Sequence, residues 1–123
     1  MAAGAVRCCK GQPVICMNPN LCELGGMRSS KGCDIHTECT LRHEQQHRDF
    51  HSDCSGRSDG DPPNYKPGFD RDSIECDAYR QELNCLRRKE LECGSDITCR
   101  LDVESIRRDI HRRRQGHGCG SPI

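Results

Sequence analysis

Residues 35–52 read IHTECTLRHEQQHRDFHS, eighteen residues with neither glycine nor proline. The run is made of helix-compatible residues and predicts a helix over Ile35–Ser52. It contains His43-Glu44-Gln45-Gln46-His47, an H-E-x-x-H pattern. Residues four apart on a helix share a face, so His43 and His47 can offer two imidazoles to one metal ion. Glu44 lies beside them, where it can take a proton from water rather than occupy the metal. Imidazole suits zinc, and zinc brings the pKa of a water it activates to about 7.

On either side of this helix the chain changes character. Residues 1–33 are rich in Gly, Pro, Asn and Cys and predict an irregular segment with at most one short strand, Pro13–Met17. Residues 53–71 carry Gly56, Gly60, Pro62, Pro63, Pro67 and Gly68, which forbid a continuous element. A second helix is expected from Asp72, with Asp72 and Glu75 as cap and capping partner. Cys76, Tyr79, Leu83 and Leu86 give it one buried face, and Gly94 ends it. Ser95 or Asp96 opens a third helix with Cys99, Val103, Ile106 and Ile110 on one side, ending before Gly116. The short connection at Gly94 predicts an antiparallel hairpin of the last two helices. The fold class is therefore mainly α, with room for a small sheet. Residues 1–33 form a cysteine-rich N-terminal segment, and residues 34–119 form the domain that carries the motif, folded with that segment as one unit.

The chain of 123 residues could not hold this fold by burial alone. It has no Trp, two Tyr and two Phe, and only 33% hydrophobic residues, of which 12 are cysteines. Cysteine at this density marks a disulfide scaffold. The even count and irregular spacing predict that most are paired, each bridge contributing about 2–4 kcal/mol. Disulfides call for an oxidising compartment. Met1 to Cys16 holds no apolar stretch long enough for a signal peptide, and no run spans a membrane. The charge is balanced at 19 basic and 19 acidic residues, which argues against a nucleic-acid or membrane-surface binder.

A catalytic zinc site needs a third protein ligand and an open position. Glu75 at the start of the second helix, Asp53 six residues after His47, and His51 one turn after His47 are candidates, with Glu82, Glu104 and Asp70 behind them. Three ligands along one straight helix span about 12 Å, which disfavours His51. Tyr79, one turn after Glu75, and Arg80 could reach a developing oxyanion, against the plainer reading of Tyr79 as core. His36, His111 and His117 read as surface histidines. Arg107, Arg108, Arg112, Arg113 and Arg114 read as a solvated face balanced by acids.

The H-E-x-x-H helix followed by Glu75-x-x-Ala78-Tyr79 resembles the gluzincin-type zinc metallopeptidases, over roughly residues 36–92. That resemblance implies zinc held by His43, His47 and Glu75, with Glu44 as catalytic base. Asp53 occupies the position where metzincin-like enzymes place their third ligand, but Phe50 stands where those enzymes have glycine. The small, cysteine-rich character resembles C-terminal toxin domains of bacterial polymorphic toxins, carried on Rhs, PAAR or VgrG proteins by type VI secretion. This second resemblance implies a carrier protein, a cognate immunity protein, and delivery to the periplasm of a target cell. It also implies a protein or peptidoglycan-peptide substrate. The contrasting expectations are a non-catalytic disulfide-rich binding module and a structural zinc domain.

Overall fold

The computed structural model describes residues 2–120. Strands β1 (Gly4–Cys9) and β2 (Gln12–Met17) form an antiparallel hairpin, and a four-residue helix α1 (Leu21–Leu24) follows. The long helix α2 (Ser30–Gln46) passes into a π-helical turn, His47–His51. Strands β3 (Ser52–Asp53) and β4 (Asn64–Tyr65) pair briefly, Ser52 with Tyr65 and Asp53 with Asn64. Helix α3 (Arg71–Lys89), a 3-10 turn (Glu90–Cys93) and helix α4 (Ile97–Gly116) complete the chain. The protein is mainly helical, as expected, with two small sheets.

The N-terminal segment is more regular than its composition implied. The full register runs from Gly4 opposite Met17 to Cys9 opposite Gln12. The two turn residues, Lys10 and Gly11, have φ of 52° and 77°. Two positive φ values in a two-residue loop match the twist of the flanking strands, and glycine supplies the second without strain. Beyond the hairpin, loop residues 60 and 61 bond to Cys8 on the other edge of β1: Cys8 N–H donates to Asp61 at 2.8 Å and Gly60 N–H to Cys8 at 2.7 Å.

Helix α2 begins five residues before the expected Ile35, because Ser29 caps it by accepting from the Gly32 N–H. The cap is itself held. Asp102 of α4, 3% exposed, accepts from Arg28 N (3.0 Å), Ser29 N (2.9 Å) and Ser29 Oγ (2.7 Å). Gly32 permits this approach, since a Cβ there would stand 2.1 Å from Asp102 Oδ2. Helix α3 is capped by Asp70 with Ser73 in a reciprocal box, not by Asp72 with Glu75, so Glu75 is left to other partners. Helix α4 starts after an Asp96 cap, as expected, but runs on through Gly116.

The core lies where α2, α3 and α4 meet. Ile35 and Cys39 of α2 pack with Tyr79, Leu83 and Leu86 of α3 and with Val103, Ile106 and Ile110 of α4. Every residue of the expected α4 face is buried; on α3 only Cys76 is half-buried. Disulfides join Cys8 to Cys54, Cys22 to Cys33, Cys39 to Cys85, Cys76 to Cys119 and Cys93 to Cys99. The bridge from Cys76, near the start of α3, to Cys119, past the end of α4, requires the two helices to run antiparallel. Cys9 and Cys16 keep exposed thiols. Five bridges fit an oxidising environment. Among the described residues no helix is long and apolar enough to cross a membrane.

Candidate metal centre

Three elements converge on the C-terminal end of α2. That helix supplies His43, Glu44 and His47; α3, packed alongside, supplies Glu75, Tyr79 and Glu82; β1 crosses in front. His47 Nε2 is 2.5 Å from Glu75 Oε1, and His43 Nε2 is 3.9 Å from the same oxygen. Glu44 Oε1 lies 3.8 Å from His43 Nε2. Ligand atoms of His43, Glu44 and His47 all fall within 4.8 Å of one another. β1 reaches the motif through Gly4, where a Cβ would stand 3.1 Å from Glu44 Cγ. The cluster opens into a cleft of about 570 Å³ between β1, α2, α3 and α4.

Two imidazole nitrogens and one carboxylate oxygen are the donor set of a catalytic zinc site. Donors on one tetrahedral ion stand about 3.3 Å apart. The separations of 2.5 and 3.9 Å from Glu75 bracket that spacing, so small side-chain movements would let His43, His47 and Glu75 hold an ion. The other nitrogen of His43, Nδ1, is 2.9 Å from Glu82 Oε1, an ion-pair distance without the alignment of a full hydrogen bond. A carboxylate there favours the proton on Nδ1 and leaves the Nε2 lone pair toward the cluster.

The other candidate ligands are occupied elsewhere. Asp53 accepts from the Ser55 N–H (3.1 Å) and hydroxyl (2.9 Å) in its own turn. The π-helical turn carries His51 into the interior at 2% exposure, where its ring meets Phe69 edge-on and its Nε2 is 3.3 Å from Asp77. Asp70 caps α3, and Glu104 pairs with Arg107 and Arg108. Glu82 enters the site beside His43 rather than beside His47.

Burial and charge set the ionisation of the cluster. Burial pulls His43 toward neutrality, but the carboxylates of Glu82, Glu44 and Glu75 outweigh it, and the imidazole pKa is raised. Burial pushes Glu44 above the ordinary carboxylate range, against the pull of His43 and His47. Glu75 is also buried, yet its bond to His47 and the nearby imidazoles of His43, His47 and His117 hold it low. Two neighbouring carboxylates are thus driven in opposite directions, a pattern that marks acid–base sites. Tyr79 packs its ring edge-on against His43 with centroids 4.6 Å apart, and burial, helped by Glu75, pushes its pKa up to about 12. Tyr79 is thus a core residue that also lines the cleft.

None of the three histidines expected at the surface is fully exposed, and His111 is half-buried with its Nδ1 enclosed. His36 is buried at 9%, with Gly25 so close that a Cβ there would stand 2.8 Å from its Nε2; burial pushes its pKa down. His117, half-buried, has Nδ1 2.9 Å from Asp72 and Nε2 4.0 Å from Glu75 Oε2. The arginine run at the end of α4 is mostly the balanced face expected, with Arg107, Arg108, Arg112 and Arg113 paired to acids. Arg114 is buried, at 5%, rather than solvated with that face, and it donates to the Gly120 carbonyl at 3.1 Å.

Sequence reading held Glu82 only as a reserve ligand and missed its place at His43 Nδ1; it follows Glu75 by seven residues and so lies two turns along the same face of α3. An acid between Tyr79 and Leu83 on an apolar face was the available signal. It also missed β1 as a wall of the site. Comparison with protein-family models, with curated proteins and with solved structures returns no match for this chain.

Proposed function

We propose that the protein is a zinc-dependent peptidase or amidase, with His43, His47 and Glu75 as metal ligands. The observation that carries this reading is the approach of two imidazole nitrogens, four residues apart on α2, to one carboxylate oxygen of α3, with a buried acid, Glu44, beside them. Bound zinc would polarise the scissile carbonyl and make water nucleophilic near neutral pH. Glu44 lies beside the ligand set, 3.8 Å from His43 Nε2, where it takes the proton from water, then returns it to the leaving amine. Its raised pKa suits it to both halves of that transfer. Tyr79 keeps its proton to about pH 12 and can donate to the oxyanion. Glu82 fixes the His43 ring. An antibacterial effector role, with a carrier and an immunity protein, rests on the family resemblance together with the disulfides. Those bridges suit a periplasmic or secreted setting.

The test has two arms. Metal analysis of the oxidised protein should find one zinc per chain, and less than about 0.2 would sink the metal assignment. Glu44→Gln should keep zinc and fold but lose peptide cleavage by about 10²–10⁴-fold. The same variant, sent to the bacterial periplasm, should lose any toxicity of the parent. Equal toxicity of a zinc-loaded Glu44→Gln protein would turn the reading to a non-catalytic binding module.

A further inference from the structure

Charge along the cleft is segregated. The inner end holds the carboxylates of Glu44, Glu75 and Glu82 around the two histidines. The lining also includes Arg112 and Arg113 of α4, next to Asp109, and Arg7 of β1. The α4 pair is well exposed, at 76% and 58% of the side chain. Arg7 is exposed too, and its Nη1 donates to the Val6 carbonyl at 3.2 Å. Cys8 bonds outward to the loop at residues 60 and 61, and Val6 sits two residues earlier on the same edge of β1, so this bond turns the Arg7 guanidinium toward that outer edge. Asp109 accepts from both Arg112 (3.0 Å) and Arg113 (2.8 Å). It is thus shared by two guanidinium groups, and Arg7 lines the same cleft, so positive charge exceeds the negative charge of Asp109.

The rim is close to the proposed reaction centre. Arg113 is near enough to the Tyr79 side chain to lower that phenol's pKa against the effect of burial, and the Tyr79 ring lies against His43. A group held by Arg113 is therefore one side chain away from a candidate metal ligand. The inner acids repel a second carboxylate at the centre, while the arginines favour one at the rim. A lysine at the same place meets like charge.

We propose that the cleft selects peptides bearing a carboxylate near the bond presented to His43, His47 and Glu75, held by Arg112 and Arg113 of α4, with Arg7 of β1 adding positive charge to the same cleft. This specificity rests on the peptidase reading for its meaning, but its binding arm does not need hydrolysis. The carboxylate can belong to an acidic side chain or to a peptide C-terminus; guanidinium recognition is the same for both.

The experiment uses the oxidised, zinc-loaded protein and its Glu44→Gln variant with four dye-labelled hexapeptides. One carries an internal Glu and an amidated C-terminus, one has a neutral interior and a free C-terminus, one is neutral throughout, and one carries Lys. The first two peptides separate side-chain from terminal recognition. Fluorescence anisotropy on the variant and cleavage by the parent are read side by side. At least one carboxylate peptide should bind about tenfold tighter than the neutral one, and the Lys peptide weaker still. The preference should shrink as salt is raised. Arg7→Gln and Arg112→Gln, neither of which contacts Tyr79, should each reduce it about threefold. Equal binding of carboxylate and neutral peptides, or no binding of any, overturns the proposal even if peptides are cut. Selective binding without cleavage by the zinc-loaded parent upholds the carboxylate site and defeats the peptidase reading instead.

Discussion

At the N-terminal end of α2 the buried Asp102 carboxylate accepts three hydrogen bonds from Arg28 and Ser29. At the C-terminal end of the same helix, four titratable side chains from α2 and α3 crowd together, and the buried Nδ1 of His43 has no well-aligned hydrogen bond. Both ends bury charge, but they use it differently. Native proteins satisfy nearly all buried polar atoms, so the first end is a structural device and needs nothing more. The second end keeps donor capacity and opposed carboxylate pKa values that packing alone does not call for, which is how a binding or catalytic site differs from a staple.

The contrast can be broken most severely at the staple. Asp102→Ala removes a buried carboxylate and strands two part-buried N–H groups and a hydroxyl, and should cost about 3–5 kcal/mol in urea unfolding. A loss under about 1 kcal/mol would erase the distinction. At the other end, Glu82→Gln should leave the metal-free fold near the parent's stability but weaken zinc binding about 10–100-fold, measured by competition with a chelating dye. A large loss of fold stability instead would make Glu82 a second staple. The smallest effect is one of sign. The folded-state pKa of Glu44 is raised above its unfolded value, chiefly by burial. Its contribution to stability is therefore fully present below the unfolded pKa, near 4.5, and is lost as pH rises through the folded value. Metal-free parent protein should lose stability across that window, and Glu44→Gln should not. Above the window the variant should melt higher than the parent, the opposite of Asp102→Ala.

Local periodicity carried much of this architecture. The spacing of Cys99, Val103, Ile106 and Ile110 defined the buried side of α4, and the four-residue spacing of His43 and His47 placed them on one face. Their meeting with Glu75 is a contact between helices, and it was legible only because Glu75-x-x-Ala78-Tyr79 resembled a known ligand helix. What stayed hidden depends on partners far along the chain. His51 looks like an exposed helical residue until the backbone widens into a π-turn and drives its ring against Phe69. His36 is covered by Gly25, eleven positions earlier. Glu82 reads as one of several reserve ligands, and its place at His43 Nδ1 shows only when that ring is known to lie opposite. The β1–β2 hairpin was concealed by its glycines and cysteines, although Lys10-Gly11 between two six-residue strands is a usable turn signal.

Three of the disulfides overlap in series along the chain: Cys8–Cys54, then Cys39–Cys85, then Cys76–Cys119. Each loop begins before the previous one closes, like links in a chain. Any single backbone cut between residues 8 and 119 therefore falls inside at least one closed loop and leaves the two pieces covalently joined. The glycine- and proline-rich stretch from 55 to 68, the most open target for a foreign protease, lies within the middle link. A clipped molecule would run as one species without reductant and as two with it, and its three-helix core would still be tied together. A disulfide-bonded protein in an oxidising compartment can in this way survive being nicked.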